Sequence, residues 1–536
     1  MTVTEESILF AVRNIARHGD TDVFPFPLEN HWFHDAETDV ATLLISIDSA
    51  FDDSLRSYPV HAVKSLSSVG YNGFRAATQI DPLWNAYLLA LVIEIGPEVE
   101  SKRIRVEQNN VFSYRFHPSS ERNTLFDPDL GWVRFHKAAL ERAQSSEVVI
   151  STDVSDFYPR IYHHRLDNAL RQATDNQEAV RRIMEILKCL SDGVSYGLPV
   201  GGNAARLLAE ILLNRTDRLL RTANVSFCRF VDDYFMFADS ASSAQRALVQ
   251  LSEILLTNEG LTLARAKTRV MSQSEFRKSS PLADASIAES ADEATAREFL
   301  GLRLAYDPYS PTAEEQYEVL REELERFDIS GMLARELRKS RIDETLTRQL
   351  TKSIRFLRPE VRDGAVVSLV RNLRILYPIF PTVAILLRKL LPDLSEDTRN
   401  EVFDVLRELI ARESHILMVP ANLSFAIRII AYDRAEETDV LLNEVYLRPH
   451  TNMMVKRDVL LAMTRRGADY WLSQQIKRFP EITPWERRAL LPASYVLGDE
   501  GRHWRERVRK ELNPADQAFL RWVGGKNNGR RWELPL

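Results

Sequence analysis

Residues 225–239 read VSFCRFVDDYFMFAD, two aromatic-rich apolar runs on either side of the adjacent acids Asp232 and Asp233. Aromatic and β-branched residues suit a pleated surface, so the stretch reads as two short strands with a turn between them. That turn would carry both carboxylates at a hairpin tip. Adjacent acids at a strand turn are commonplace, and the tetrapeptide Phe230-Val231-Asp232-Asp233 assigns nothing by itself. About eighty residues upstream, however, the β-branched run VVISTDV at 148–154 brings in Asp153, followed by Phe157 and Tyr158. Helical stretches lie between, HHRLDNALRQA at 163–173 and NAARLLAEILLNRTDRLL at 203–220, so the order is strand, helices, hairpin, helix.

Nucleotidyl transfer through two divalent cations needs carboxylates from separate strands, with the ions roughly 3.5–4 Å apart. Asp153 on one strand and Asp232 on a neighbouring hairpin, with Asp233 as a weaker partner and Val154 counted beside Asp153, form such a candidate metal set. Hard oxygen ligands match two Mg²⁺ or Mn²⁺ ions rather than zinc.

Five segments then line up in order. ISTDVSDFYPRIYHH looks like motif A of a reverse-transcriptase palm, GLPVGGNAARLLAEILL from Gly197 like motif B, and FVDD like motif C. GLTLARAKTRV from Gly260 resembles motif D, and EFLGLRL from Glu298 resembles the motif E hairpin that grips the primer. The resemblance covers about 60–308. It implies metal-binding roles for Asp153, Asp232 and Asp233, a lysine near the triphosphate at Lys267, and an aromatic steric gate at Tyr158 that admits deoxynucleotides. Phe157 beside the gate, and Val200 and Gly201 in motif B, are the accompanying substrate-binding candidates. In the fingers, Arg115 of Tyr114-Arg115-Phe116 is the candidate for the incoming triphosphate, with Arg75 and Arg103 as rivals; each would serve equally as a structural ion-pair partner. Tyr158 as a core aromatic and Lys267 as a surface lysine are the plainer alternatives.

Where ordinary reverse transcriptases carry Pro-Gln-Gly in motif B, this chain has Pro199-Val200-Gly201-Gly202. The missing Gln puts faithful template reading in doubt without touching the metal site. Together with the N-terminal GDTDVFPFPLE segment and a helical C-terminal part, this departure resembles the bacterial antiphage reverse transcriptases, the abortive-infection group and its defence-associated relatives. That resemblance implies cytoplasmic phage defence by DNA synthesis from dNTPs. In several relatives the DNA is primed from a protein hydroxyl, remains covalently attached and has no ordinary template; some use a noncoding RNA, and members assemble as homo-trimers or hexamers. The alternatives are a conventional RNA-templated enzyme of a retron or mobile element, and a catalytically silent scaffold.

The remainder of the chain bounds these readings. At 536 residues, two to four domains are expected. Residues 1–55 read as an extension with a short amphipathic helix and the loop-like GDTDVFPFPLENHWF, 56–308 as α+β right-hand fingers and palm, and 309–536 as an all-α domain. The last is a run of amphipathic helices whose apolar faces would be buried by stacked antiparallel pairs, a HEAT-like repeat, with a plain bundle as the alternative. Two cysteines exclude a disulfide framework or a Cys-rich zinc site, and no secretory signal or membrane-length apolar run is expected. A reducing cytoplasm without membrane contact fits best, and the resemblance implies a bacterial one. Net charge is −6, so nucleic acid cannot be held by an overall basic surface. The stretch Arg321–Arg374 is the local candidate, or else a solvated helix face.

Overall fold

The computed structural model describes residues 2–191, 193–282, 290–302, 304, 313–527 and 532–536. The chain divides into two compact units, one of Met1–Asp22, Glu29–Ala62 and Thr78–Gly301, the other of Val23–Leu28, Val63–Ala77 and Leu302–Leu536. The expected boundary at 308/309 lies outside the described residues. The N-terminal residues other than 23–28 therefore share a unit with the polymerase motifs, and residues 63–77, expected in the fingers and palm, cluster with the C-terminal helices.

In chain order come α1 (Glu5–His18), α2 (Glu29–Asp35), α3 (Glu37–Ser49), α4 (Phe51–Ser57), β1 (Ala62–Val69) and β2 (Gly73–Ile80). The segment expected to be loop-like through Phe33 thus turns helical at Glu29, where Trp32 and Phe33 face the interior. Next are α5 (Pro82–Lys102), β3 (Phe116–Ser119), β4 (Thr124–Phe126), α6 (Trp132–Ala143) and β5 (Val148–Asp153). Then follow α7 (Phe157–Arg160), α8 (His163–Ala173), α9 (Gln177–Leu190), α10 (Asn203–Thr222), β6 (Ser226–Phe230) and β7 (Asp233–Ala238). The first unit closes with α11 (Ala241–Ile254), β8 (Arg269–Ser272), α12 (Gln273–Ser279) and α13 (Ala291–Leu300).

The first unit is organised on two elements. One is α5, apolar on nearly every face and accordingly buried along most of its length, its start fixed by Pro82 and by the Asp81 side chain accepting from the Leu83 N–H. Helices α1, α9 and α10 pack against it. The other is an antiparallel sheet in the order β6-β7-β5-β8. Its period-two alternation sends Val149, Cys228 and Phe237 into a cluster with Phe135 of α6 and Phe276 of α12, and Phe135 stacks on Phe235 with ring centroids 4.8 Å apart. Ile150, Tyr234 and Met236 take the opposite phase and are fully buried, and α11 packs on β5 and β7.

One expectation is corrected here. Glu298–Leu300, the start of the motif E segment, ends helix α13 instead of opening a hairpin, because Ser290 caps a helix whose Phe299 and Leu300 are buried; Arg303 lies outside the described residues.

In the second unit β1 and β2 form a hairpin whose Tyr71 hydroxyl donates to the Ile375 carbonyl and accepts from the Ile342 N–H. The rest is helical. Successive elements include α14 (Ala313–Glu325), α15 (Ile329–Leu337), α16 (Glu344–Ser353), α17 (Pro359–Arg371), α18 (Leu373–Leu376), α19 (Phe380–Leu390) and α20 (Glu396–Ala411). They continue as α21 (Pro420–Ile430), α22 (Glu436–Leu447), α23 (Met453–Arg466), α24 (Asp469–Lys477), α25 (Pro484–Ala493), α26 (Gly498–Val508) and α27 (Pro514–Lys526). Alternate helices α19, α21, α23, α25 and α27 touch in succession while α20 and α22 line up beside them, the stacking of helix pairs that a HEAT-like repeat requires. Leu373–Asp393 is, against expectation, long and apolar enough to cross a membrane by length and composition; 61% of its apolar window is buried within the protein.

Candidate active site

Asp153 is the last residue of β5 and Asp233 the first of β7, and the two are directly paired in the antiparallel register. Directly opposed residues share a sheet face with Cα atoms roughly 4.5–5.5 Å apart, so these two acids project side by side. Asp232 occupies the turn between β6 and β7, and its carbonyl accepts the Val154 N–H at 3.1 Å. The site therefore draws Asp153, Asp232 and Asp233 together from stretches about eighty residues apart.

Their electrostatics follow from crowding. Burial, then the negative charges of Asp153 and Asp233, push the Asp232 carboxyl up to about 7. Asp233 is pushed up to about 6 by desolvation and by Asp153, although its side chain is exposed at the tip. The greater exposure makes its shift the less consequential of the two. Lys267, from the segment between α11 and β8, extends its ammonium onto Asp153 Oδ2. Burial alone would lower the lysine, but the bond to Asp153 and the remaining acids hold it above its usual range.

The turn itself is unusual. Val231 has φ +58, a left-handed conformation that β-branched residues strongly disfavour. Its N–H donates to Ser113 Oγ at 2.9 Å, and its carbonyl accepts from Arg229 Nη1 at 2.8 Å.

Tyr158 lies on α7, half-buried beside Phe157 with ring centroids 5.3 Å apart, and burial raises its hydroxyl well above the ordinary tyrosine range. Its backbone carbonyl accepts the Leu198 N–H at 2.9 Å, which ties the motif A loop to the Leu198–Gly201 segment. Val200 is buried, and Gly201 has φ +107, where a side chain would strain the backbone.

Arg115 takes up the ion-pair alternative. The residue is 4% exposed and its Nη2 pairs with Glu100 on α5, while Nε and Nη1 are buried with no hydrogen-bond partner among the described residues. Burial lowers its pKa, and Arg103 adds to the effect. Arg103 is likewise buried against Glu210, and Arg75 belongs to the second unit.

Arg206 on α10 is a residue that motif reading passed over. It lies 5.2 Å from the centroid of the Tyr114 ring, donates to Asp22 at 2.6 Å, and exerts its charge on Tyr158. Its signal in the sequence was slight, a single cation one helical turn past Gly202.

In the Arg321–Arg374 stretch, several cations are already engaged, Lys339 by Glu336, Arg348 by Glu344, Arg358 by Glu325 and Arg371 by Glu401, which favours the solvated-face reading for those four.

The donor set is three carboxylates whose mutual repulsion a divalent cation would relieve, and that chemistry fits Mg²⁺ or Mn²⁺. As they stand, with Lys267 on Asp153, no group of three or more His, Cys, Asp or Glu side chains among the described residues is close enough to hold an ion.

Residues 100–304 match the family described as Reverse transcriptase (RNA-dependent DNA polymerase). No curated protein matches. Among solved structures, telomerase from Candida albicans, in complex with a TWJ fragment of telomeric RNA, is similar at 12% identity over 76% of this chain and 70% of that one, with a TM-score of 0.31. Apo telomerase from Candida tropicalis is similar at 11% identity over 75% and 73%, with a TM-score of 0.28. The chain thus carries a reverse-transcriptase domain followed by a mostly helical region, and it is an enzyme of the RNA-directed DNA polymerase type.

Proposed function

We propose that this chain polymerises deoxynucleotides by two-metal nucleotidyl transfer and does so in bacterial antiphage defence. The observation that carries the chemical part is the register of Asp153 against Asp233 with Asp232 in the adjoining turn. Asp153, Asp232 and Asp233 would hold the ions, with Val154 fixed beside them by its bond to the Asp232 carbonyl. Bound there, divalent cations lower the pKa of an attacking hydroxyl and neutralise the leaving pyrophosphate. Lys267 would move from Asp153 to the triphosphate as the cations take over the carboxylates, a short displacement for a flexible stem. Tyr158 and Phe157 would lie beneath the sugar, with Val200 and Gly201 forming the floor.

The defence role rests on the Pro-Val-Gly-Gly variant of motif B, the GDTDVFPFPLE segment and the helical repeat, which together favour the antiphage enzymes. On this reading the protein is cytoplasmic, assembles as a trimer or hexamer through its helical region, and makes DNA primed from a protein hydroxyl or guided by a noncoding RNA. The family match favours a second reading, templated copying of RNA.

Purified protein with Mg²⁺ and dNTPs is expected to make DNA, and Asp153→Ala or Asp232→Ala to abolish both synthesis and plaque reduction in a phage challenge. DNA made equally by both variants would overturn the proposal. Sequencing the product separates the readings: copied RNA supports the second, and protein-linked DNA without a template supports the first.

A further inference from the structure

Beneath the Val231–Asp232 turn lies a set of buried charges that no step above uses. Arg229, fully buried in β6, donates through Nε and Nη2 to Asp217 at 2.8 and 2.6 Å and through Nη1 and Nη2 to Glu210 at 3.2 and 2.9 Å. Glu210, 1% exposed on α10, also accepts from Ser113 Oγ and from Arg103 Nη2, each at 2.5 Å. Arg103 in turn donates to the carbonyls of Ser113 and Tyr114 at 2.8 and 2.7 Å. Arg103 also pairs with Glu100 at 3.1 Å, and Glu100 with Arg115, so three guanidiniums face three carboxylates and the set is neutral.

Two of its outlets reach one residue. Ser113 Oγ and Arg229 Nη1 grip the N–H and the carbonyl of Val231, the two backbone groups of the residue that stands in the left-handed region. Such a conformation is strained for a valine and persists only where surrounding structure imposes it. Charge-assisted bonds inside a protein are strong and directional, and the two side chains that grip Val231 are both tied to Glu210.

We propose that Ser113, Glu210 and Arg229 are positioning residues that hold Val231 left-handed and so set Asp232 and Asp233 against Asp153. The inference rests on the polymerase reading for its catalytic consequence, but the grip on Val231 does not. A Ser113 side chain without its hydroxyl releases one end of the turn while leaving the ion pairs intact, so Ser113→Ala is the mildest perturbation. Glycine adopts positive φ freely, so Val231→Gly should make the grip dispensable.

The experiment is a double-mutant cycle of Ser113→Ala and Val231→Gly in the full chain, read by thermal denaturation, by Mn²⁺ affinity from electron paramagnetic resonance, and by synthesis. Ser113→Ala is expected to weaken Mn²⁺ binding about 10- to 100-fold, as loss of a ligand's supporting partner does. It should lower kcat by about 10- to 100-fold with the dNTP KM within about threefold, the mark of a displaced catalytic group. Val231→Gly in that background should restore much of both, and the two changes should be non-additive in thermal midpoint. Additive midpoints, or Ser113→Ala matching wild type in metal affinity and kcat, overturns the proposal. If wild type shows neither synthesis nor Asp232-dependent Mn²⁺ binding, the polymerase reading fails instead, and the midpoints still decide whether the grip exists.

Discussion

Replacing Arg229 with methionine keeps an unbranched apolar stem in β6 and deletes the guanidinium that serves Glu210, Asp217 and the Val231 carbonyl. Glu210 then retains Arg103 and Ser113, but Asp217 loses the only ion pair it has among the described residues. Removing one side of a buried pair costs about 3–5 kcal/mol, because the remaining charge stays desolvated. The unit has about 280 residues, and at about 2.1 cal/mol/K of unfolding entropy per residue its thermal midpoint should fall by about 5–9 °C. The pH dependence should shift as well, towards a loss of stability with rising pH. In the wild type, burial alone would raise Glu210, but Arg229 and Arg103 hold it below the usual carboxylate range. Its contribution is present above the unfolded pKa and is lost as pH falls through the lower folded value. Burial already holds Asp217 above its usual range, so its contribution is lost as pH rises. Without Arg229 both carboxyls rise, folding takes up protons, and the variant should lose stability as pH increases. Thermal melts of wild type and variant from about pH 5 to 8 span that change. A variant melting within about 1 °C of wild type, or one gaining stability relative to wild type as pH rises, would refute the burial argument.

Tyr158→Val removes the ring expected beneath the sugar, and discrimination against ribonucleotides should fall by about 10- to 100-fold in single-nucleotide incorporation assays; unchanged discrimination would remove the gate from Tyr158. Mn²⁺ at a hundredfold excess over its Kd should stabilise the protein by about 2.7 kcal/mol in a thermal-shift titration, with the gain absent in Asp232→Ala. Lys267→Met should strengthen that Mn²⁺ response, because the competing ammonium leaves Asp153, while synthesis slows by about 10- to 100-fold; a weakened metal response would show that Lys267 supports the ions and does not displace with them.

How much of this could be read in advance differs by residue. The palm strands were legible because their apolar alternation has only one satisfactory register, the one that pairs Val149 with Phe237 and buries both on α6. Once that register is set, Asp153 must face Asp233, and the acidic site follows from the strands. Arg115 kept two open roles, triphosphate donor and ion-pair partner, for a physical reason: only the fold brings Glu100, fifteen positions away on α5, to face it. Motif E went astray because EFLGLRL satisfies strand and helix patterns over so short a run, and the Ser290 cap that decides for helix lies eight residues earlier. The buried network left a fainter trace. Glu210 and Asp217 stand seven residues apart on α10 among Leu207, Ile211, Leu213 and Leu220, and two acids on the apolar face of a helix demand a buried cation.

That trace bears on what the site is. A valine at the tip of a hairpin contradicts local preference, since Asn or Gly would take the left-handed conformation at little cost. Two buried guanidiniums and two buried carboxylates contradict it again, since apolar residues of similar volume would pack there more stably. Each departure alone is a defect in stability. Together they explain one another, because the second supplies the rigid donors and acceptors that the first needs, and both sit directly under Asp232. Departures from local consistency that compensate each other around a carboxylate cluster are what a site selected for geometry over stability should contain, and they place the demand for precision at the FVDD turn itself.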